Sequence, residues 1–306
     1  MNSENIKPIR PPRLKPGDTI GIVAPASPFD ADLFNQGLDA LAAMGFKTHV
    51  PDEIFENNRY LAGSDAHRAM LVTRIFKDPS IDAIVCAKGG FGSLRILPLL
   101  DFDVMRTNPK VFVGLSDISA LLAAITAQTG LVTFHGPVVT TLAKAPQFTR
   151  QSLLTAISSD SDLKITPGKG VTMKAGRAQG PIIGGNLTTL CHLLGTPFEP
   201  RFENHILFLE DRGEAPYRID RMLFQMKLAG CFDGIAGLAL GSFEECGTLD
   251  GVYRIFQECF QDAPIPILAG FDIGHGEQNL TIPFGLDAIL DTDQQVLSFD
   301  QSPTIG

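Results

Sequence analysis

Along the first half of the chain, short apolar runs alternate with stretches whose apolar residues recur at helical spacing. The run "TIGIVAPA", 19–26, follows the turn "KPGD" and stops in "APASP", which predicts a β-strand. In 30–45, Phe34, Leu38 and Leu41 fall at i, i+4 and i+7. Leu33 and Met44 widen that stripe and Gly45 ends it, so a helix is predicted. "KTHVP" predicts a second strand. "DAHRAMLVTRIFKDP" predicts a second helix, opened by Ser64 or Asp65 and closed before Pro79. "IDAIVCAKGGFG" predicts a strand with a glycine-rich end. "KVFVGLSD" predicts another, running straight into the helix "ISALLAAITAQTG", and "LVTFHGP" predicts one more. Strands that are apolar nearly throughout and alternate with helices form a parallel sheet covered on both faces. Ligands bind such sheets beyond the carboxyl ends of the strands, where the loops 88–92 and 114–117 fall.

The alternation breaks after about residue 150. Residues 151–175 are polar, rich in turn residues and marked by short extended pieces, and they predict a linker. Residues 176–306 mix short strands with helices such as "GGNLTTLCHLLG" and "APYRIDRMLFQMKLAG". The expected fold class is therefore α/β: an N-terminal domain over 1–150 with a parallel sheet, and a smaller mixed C-terminal domain over 176–306. The length of 306 residues suits two domains of about 150 residues each.

Composition narrows the function. With 44% hydrophobic and 19% charged residues, the chain has material for a sizeable core. A net charge of −9 and no basic run argue against nucleic acid and anionic membrane as partners. The amino-terminal "MNSENIKPIRPPRLKPGD" has no apolar leader, and no run reaches the ~18 apolar residues of a membrane helix, so a cytoplasmic location is expected. Cys86, Cys191, Cys231, Cys246 and Cys259 are widely spaced without C-x-x-C. They predict small buried residues rather than a disulfide frame or a zinc site.

Strand, Gly-Leu-Ser-Asp, helix is the pattern of a nucleophile elbow, with Ser116 at the turn and the Asp117 N–H beside it. Ile118 stands where a G-x-S-x-G motif would have its second glycine, and Ser116 or Asp117 acting as a plain helix cap is the alternative. "CAKGGFGS", 86–93, matches neither a P-loop nor G-x-G-x-x-G. Its Gly90 N–H, paired with that of Asp117, would make an oxyanion hole. For a base, His275 in "DIGHGEQN" is flanked by glycines, and His135 in "FHGP" is the runner-up. His49 and His67 read as surface residues, His192 as packed, and His205 as the start of a strand. For an orienting acid, Glu210 ends the apolar strand "ILFLED" and would need a partner if buried. Asp211 is the adjacent alternative, and a strand-end acid facing water is the simplest competing reading.

These pieces in this order resemble the LD-carboxypeptidase family of serine peptidases, of which the microcin C self-immunity peptidases are a branch. The resemblance runs from "LKPGDTIGIVAPASP" to "GLDAILD" and is carried by "KGGFGSLRILPLLDF", "VGLSDISALL", "TFHGP", "GGNLTTLCHLLGTPFEP", "ILFLEDRGEAPYRIDRML" and "GHGEQNLTIPFG". It implies a flavodoxin-like N-terminal domain, Ser116 as nucleophile, Glu210 and His275 completing a triad from the second domain, and the backbones of Gly90 and Asp117 as oxyanion donors. It implies no metal and no cofactor, a small murein tetrapeptide as substrate from which D-alanine is released, and a homodimer. Two departures stand out. Lys88-Gly89-Gly90-Phe91 replaces the family's frequent Arg-Gly-Gly-Tyr, and the chain contains no tryptophan. The second departure counts against stacking an indole on a nucleotide-like substrate. Ser27, Arg218 and Asn186 are further candidates to line the site. A two-lobed peptide-binding protein without catalysis is the reading from another class.

Overall fold

The structure, a computed structural model, describes residues 7–306. The first six residues of the amino-terminal stretch considered above as a leader lie outside them. The first lobe follows the predicted alternation. Its strands are β1 (Thr19–Val23), β2 (Lys47–His49), β3 (Ala83–Cys86), β4 (Val111–Gly114) and β5 (Thr133–His135). Between and after them run α1 (Ala31–Ala43), α2 (Asp65–Lys77), α3 (Ser93–Ile96), α4 (Phe102–Thr107), α5 (Ser119–Thr129), α6 (Val139–Leu142) and α7 (Gln147–Ser158). Asp30 and Ser64 cap α1 and α2 by accepting from the N–H groups of Leu33 and His67. β1 to β5 pair in parallel in the order β5-β4-β3-β1-β2. Every residue of β3 and β4 is buried, as strands covered on both faces must be.

The stretch predicted as a linker is built into the fold. α7 continues to Ser158, and its buried Thr149, Leu153, Ala156 and Ile157 form a helical stripe. Then β6 (Leu163–Ile165) and β7 (Val171–Lys174) take the two edges of a second sheet. β6 buries Leu163 and Ile165 on either side of exposed Lys164, an alternation too short to stand out among the turn residues around it. The second sheet continues with β8 (Arg177–Asn186), β9 (Ile206–Arg212), β10 (Gly237–Glu244) and β11 (Ile267–Ala269), all parallel. α8 (Leu187–Cys191), α9 (Pro216–Leu228) and α10 (Leu249–Cys259) join them.

The chain then returns to the first sheet. β12 (Ile282–Phe284) pairs antiparallel with β5, before β13 (Asp287–Asp291) and β14 (Val296–Phe299) complete the second sheet. One lobe thus supplies an edge strand to the other. α5 explains how the lobes are held. Residues 119–125 are all buried, because the helix packs against β4 and β5 on one side and β8 on the other. A helix apolar all round needs such an enclosure. The Asn186 N–H, at the end of β8, donates to Ser119 Oγ at the start of α5 over 3.0 Å. Among the described residues no helix is long and apolar enough to cross a membrane.

Phe284 of β12 is fully buried, with its ring 6.3 Å from that of Phe208 in β9. Phe284→Ala should lower stability by about 3–5 kcal/mol, read as the midpoint of urea unfolding. A loss below about 1 kcal/mol would contradict the tying role given to β12.

Candidate active site

The carboxyl ends of parallel strands from both sheets meet at one cavity of about 790 Å³. Its wall includes Gly90, Ser116 and Asp117 from the first lobe, and Asn186, Asp211 and His275 from the second.

Ser116 follows β4 after one residue and adopts φ +66°. A non-glycine residue in the left-handed region is strained, and such strain persists where the surroundings enforce it. Gly89 lets the neighbouring loop pack directly on this turn: a Cβ at that position would lie 2.8 Å from Ser116 Cβ and 2.9 Å from the Leu115 carbonyl oxygen, so only glycine lets the two loops nest. Neither Ser116 nor Asp117 caps α5 through its side chain. Asp117 instead accepts from the Ser93 N–H at 2.8 Å, and its carbonyl accepts from the Ser93 hydroxyl. Burial pushes the Asp117 carboxyl up, against the hydrogen bonds from Ser93. The turn is therefore tied to the start of α3, and the serine hydroxyl is left to the cavity.

The glycine-rich loop has its own supports. Ser27 Oγ accepts from the Phe91 N–H at 3.0 Å, and the Ser27 N–H donates to the Gly89 carbonyl at 3.3 Å. Arg68, fully buried, donates to the carbonyls of Pro25 and Gly92 and pairs with Asp65, which also holds Arg95 at 2.6 Å. The N–H groups of Gly90 and Asp117 donate to no group among the described residues, which leaves them available to a ligand in the cavity.

Glu210 lies near the end of β9 and is completely buried; the reading of an acid facing water is overturned. Its Oε2 stands 2.6 Å from His275 Nδ1. Burial alone would push the carboxyl up. The charge and hydrogen bond of His275, aided by the His135 ring, win and hold it at about 2. Burial pulls the His275 imidazolium down, yet the Glu210 carboxylate outweighs this and raises it above its ordinary value. Both shifts describe an imidazole that takes up a proton readily beside an anion that stays charged.

The loop carrying His275 leaves β11 and enters β12. The His275 N–H donates to Ser242 Oγ at 3.0 Å. A Cβ on Gly274 would meet Glu210 Oε2 at 2.6 Å and Ser242 Oγ at 2.7 Å, so the flanking glycine is what admits the loop to the acid. Farther along, the N–H groups of Asn279 and Thr281 donate to Thr149 Oγ1 and Ser152 Oγ of α7. Ser116 and His275 face the same cavity without a direct hydrogen bond between them, an arrangement common before a substrate is bound.

Asp211, the alternative acid, is committed elsewhere. It accepts from Asn186 Nδ2 and from the backbone N–H and hydroxyl of Thr188. His192, expected to pack, is exposed on the cavity wall, because α8 ends before it at Cys191. His67 is half-buried, its Nε2 3.1 Å from the Glu53 carbonyl oxygen, rather than on the surface. His135 is fully buried. Arg218 is exposed against Glu214 and Tyr217 and is not among the residues lining the cavity. Four cysteines are buried and Cys231 is half-buried, all free thiols. Sequence reasoning passed over Arg68 and Ser93. A charged residue inside the helical stripe of α2 was the available signal for Arg68; none marked Ser93.

Two parallel-stranded lobes that meet at a serine-bearing turn and a buried acid–histidine pair define an α/β protein of hydrolase type. The match to LD-carboxypeptidase domains is direct: the N-terminal domain of that family matches residues 20–136 and the C-terminal domain residues 179–290. The chain belongs to the LD-carboxypeptidase family. A Bacillus subtilis (strain 168) protein called a probable murein peptide carboxypeptidase is 36% identical over 97% of this chain and 96% of its own. The murein tetrapeptide carboxypeptidase of Pseudomonas aeruginosa is 33% identical over 89% of this chain and 92% of its own. Among solved structures, an MccF-like protein from Bacillus anthracis superposes with a TM-score of 0.91 at 27% identity, over 96% of this chain and 99% of that one.

Glu210→Gln removes the anion and leaves His275 in its buried setting. The imidazole should then titrate at a lower pH, because burial is no longer opposed by the carboxylate, followed by NMR of the ring protons. An unchanged titration would contradict the assigned coupling.

Proposed function

We propose that this protein is a serine carboxypeptidase that cleaves the L-to-D peptide bond before the terminal D-alanine of murein tetrapeptides. The observation that carries the reading is the buried Glu210–His275 pair, aimed at the cavity that also receives Ser116 on its strained turn. His275 Nε2 takes the Ser116 proton as the hydroxyl oxygen attacks the carbonyl carbon. Glu210 holds the ring through Nδ1–H and stabilises its charged form. The N–H groups of Gly90 and Asp117 receive the oxyanion. His275 returns the proton to the departing D-alanine amine, and water, deprotonated by the same imidazole, hydrolyses the acyl-enzyme. The substrate choice rests on the relatives that carry murein peptide carboxypeptidase names.

Likeness to MccF-type proteins supports a second reading, hydrolysis of an aminoacyl-nucleotide amide. Against it, this chain has no tryptophan to stack on a base. Phe91, exposed on the cavity wall with its ring 5.4 Å from that of Tyr60, is the aromatic available there.

Mass spectrometry of a murein tetrapeptide after incubation should show loss of one alanine. Ser116→Ala should lower kcat by about 10⁴-fold or more with the fold intact. Retention of the tetrapeptide, with hydrolysis of an aminoacyl-sulfamoyl adenylate instead, would favour the second substrate class.

The rate also depends on pH in a definite direction. His275 must be neutral to act as base, and its raised pKa means activity is lost as pH falls through a value above about 6.5. A kcat/KM profile with its acid limb below that value would contradict the proposed base.

A further inference from the structure

His135 ends β5 and has no part in the mechanism above, yet it stands against the acid. We infer that His135 is a positioning residue whose Nε2–H donates to the Glu210 oxygen that His275 leaves free, so that the carboxylate is held between two imidazoles. The inference rests on the proposed triad and adds a fourth side chain to it.

The geometry is specific. His135 and Glu210 are both completely buried, with Nε2 and Oε1 3.9 Å apart. Among the described residues, Glu210 Oε1 and both ring nitrogens of His135 have no hydrogen-bond partner. The ring lies between Phe208 and Phe284, at centroid distances of 5.4 and 5.7 Å, and neither offers a donor or an acceptor. Buried polar atoms are almost always paired, and here two of the three orphans, His135 Nε2 and Glu210 Oε1, have each other as neighbours. N–H···O bonds reach about 3.2 Å, so closing the contact needs a shift of roughly 0.7 Å.

The tautomer follows. A proton on Nε2 satisfies that nitrogen and Oε1 together. A proton on Nδ1 alone would set two bare acceptors facing one another inside the protein. β5 also lies between β4, which delivers Ser116, and β12, which ends the loop carrying His275. His135 is thus anchored to both lobes' contributions and fixes the carboxylate rotamer that keeps Oε2 at 2.6 Å from His275.

A donor on the far oxygen spreads the carboxylate charge and restrains the proton affinity of the Glu210–His275 pair. The other charged groups around the pair are Asp211 beside Glu210, Arg212 near His275, and Glu244, whose Oε1 would lie 3.3 Å from a Cβ on Gly276. They are common to every variant below.

The test reads the rate of Ser116 labelling by a fluorophosphonate against pH, which requires no knowledge of the substrate. His135→Leu should move the acid limb up by about half a unit to one unit and lower the plateau rate about tenfold. His135→Gln, whose amide nitrogen reaches the place of Nε2, should keep the limb near that of the unaltered protein. Folded variants that both keep the limb, or both shift it equally, would overturn the proposal. Should His135→Leu not fold, ¹⁵N NMR of histidine-labelled protein decides: a proton on Nε2 of His135 supports the role and a bare Nε2 overturns it. Absence of labelling in the unaltered protein would strike the triad, and the same NMR result would still decide the state of His135.

Discussion

A carboxylate with no exposed surface is the constraint around which this molecule is arranged. Glu210 sits inside the protein, where an unpaired anion is expensive. It is tolerated because His275 meets one oxygen at 2.6 Å, with His135 behind the other. That need specifies much else. The loop after β11 has to come within bonding distance of β9, Gly274 has to lack a side chain for it to do so, and Ser242 has to hold the loop backbone. Each is a packing condition, and together they leave an imidazole with raised proton affinity on the cavity wall.

The rest of the fold supplies the opposite wall. α5 is buried between two sheets, so its start cannot drift relative to β8, and Ser116 lies three residues before it. The turn is strained, and the strain is sustained by contacts rather than by local preference: Gly89 pressed against Ser116, Ser93 bound to Asp117, Arg68 and Ser27 holding the neighbouring loop. Relaxation would break several of these at once. The return of β12 to the first sheet closes the arrangement, since the segment that leaves His275 becomes an edge strand of the lobe that carries Ser116. Hydrogen bonds from Asn279 and Thr281 to α7 add to the same tie.

Much of this was legible in the residues. Strands such as β3 and β4 are continuous apolar runs because both faces are covered, and α1 announces itself by one apolar stripe that Gly45 ends. Ser116, Glu210 and His275 drew notice because each residue type stands where bland packing would not need it. What stayed hidden depends on distance along the chain. No local signal says that 282–284 will pair with 133–135, 147 positions earlier by 282 minus 135, or that β6 and β7 will form sheet edges rather than a linker. The pairing of Arg68 with two loop carbonyls, the exposure of His192 and the burial of His135 all follow from how the lobes meet, which no short stretch encodes.

The central claim is that Ser116, the Gly90 and Asp117 N–H groups and His275 converge on one reacting carbonyl. The most direct measurement is a crystal structure of the protein after reaction with a fluorophosphonate. It should show phosphorus bonded to Ser116 Oγ, the phosphonyl oxygen about 2.7–3.1 Å from the Gly90 and Asp117 nitrogens, and His275 Nε2 within hydrogen-bond reach of the adduct. An adduct on another residue, or a phosphonyl oxygen turned away from both N–H groups, would contradict the account.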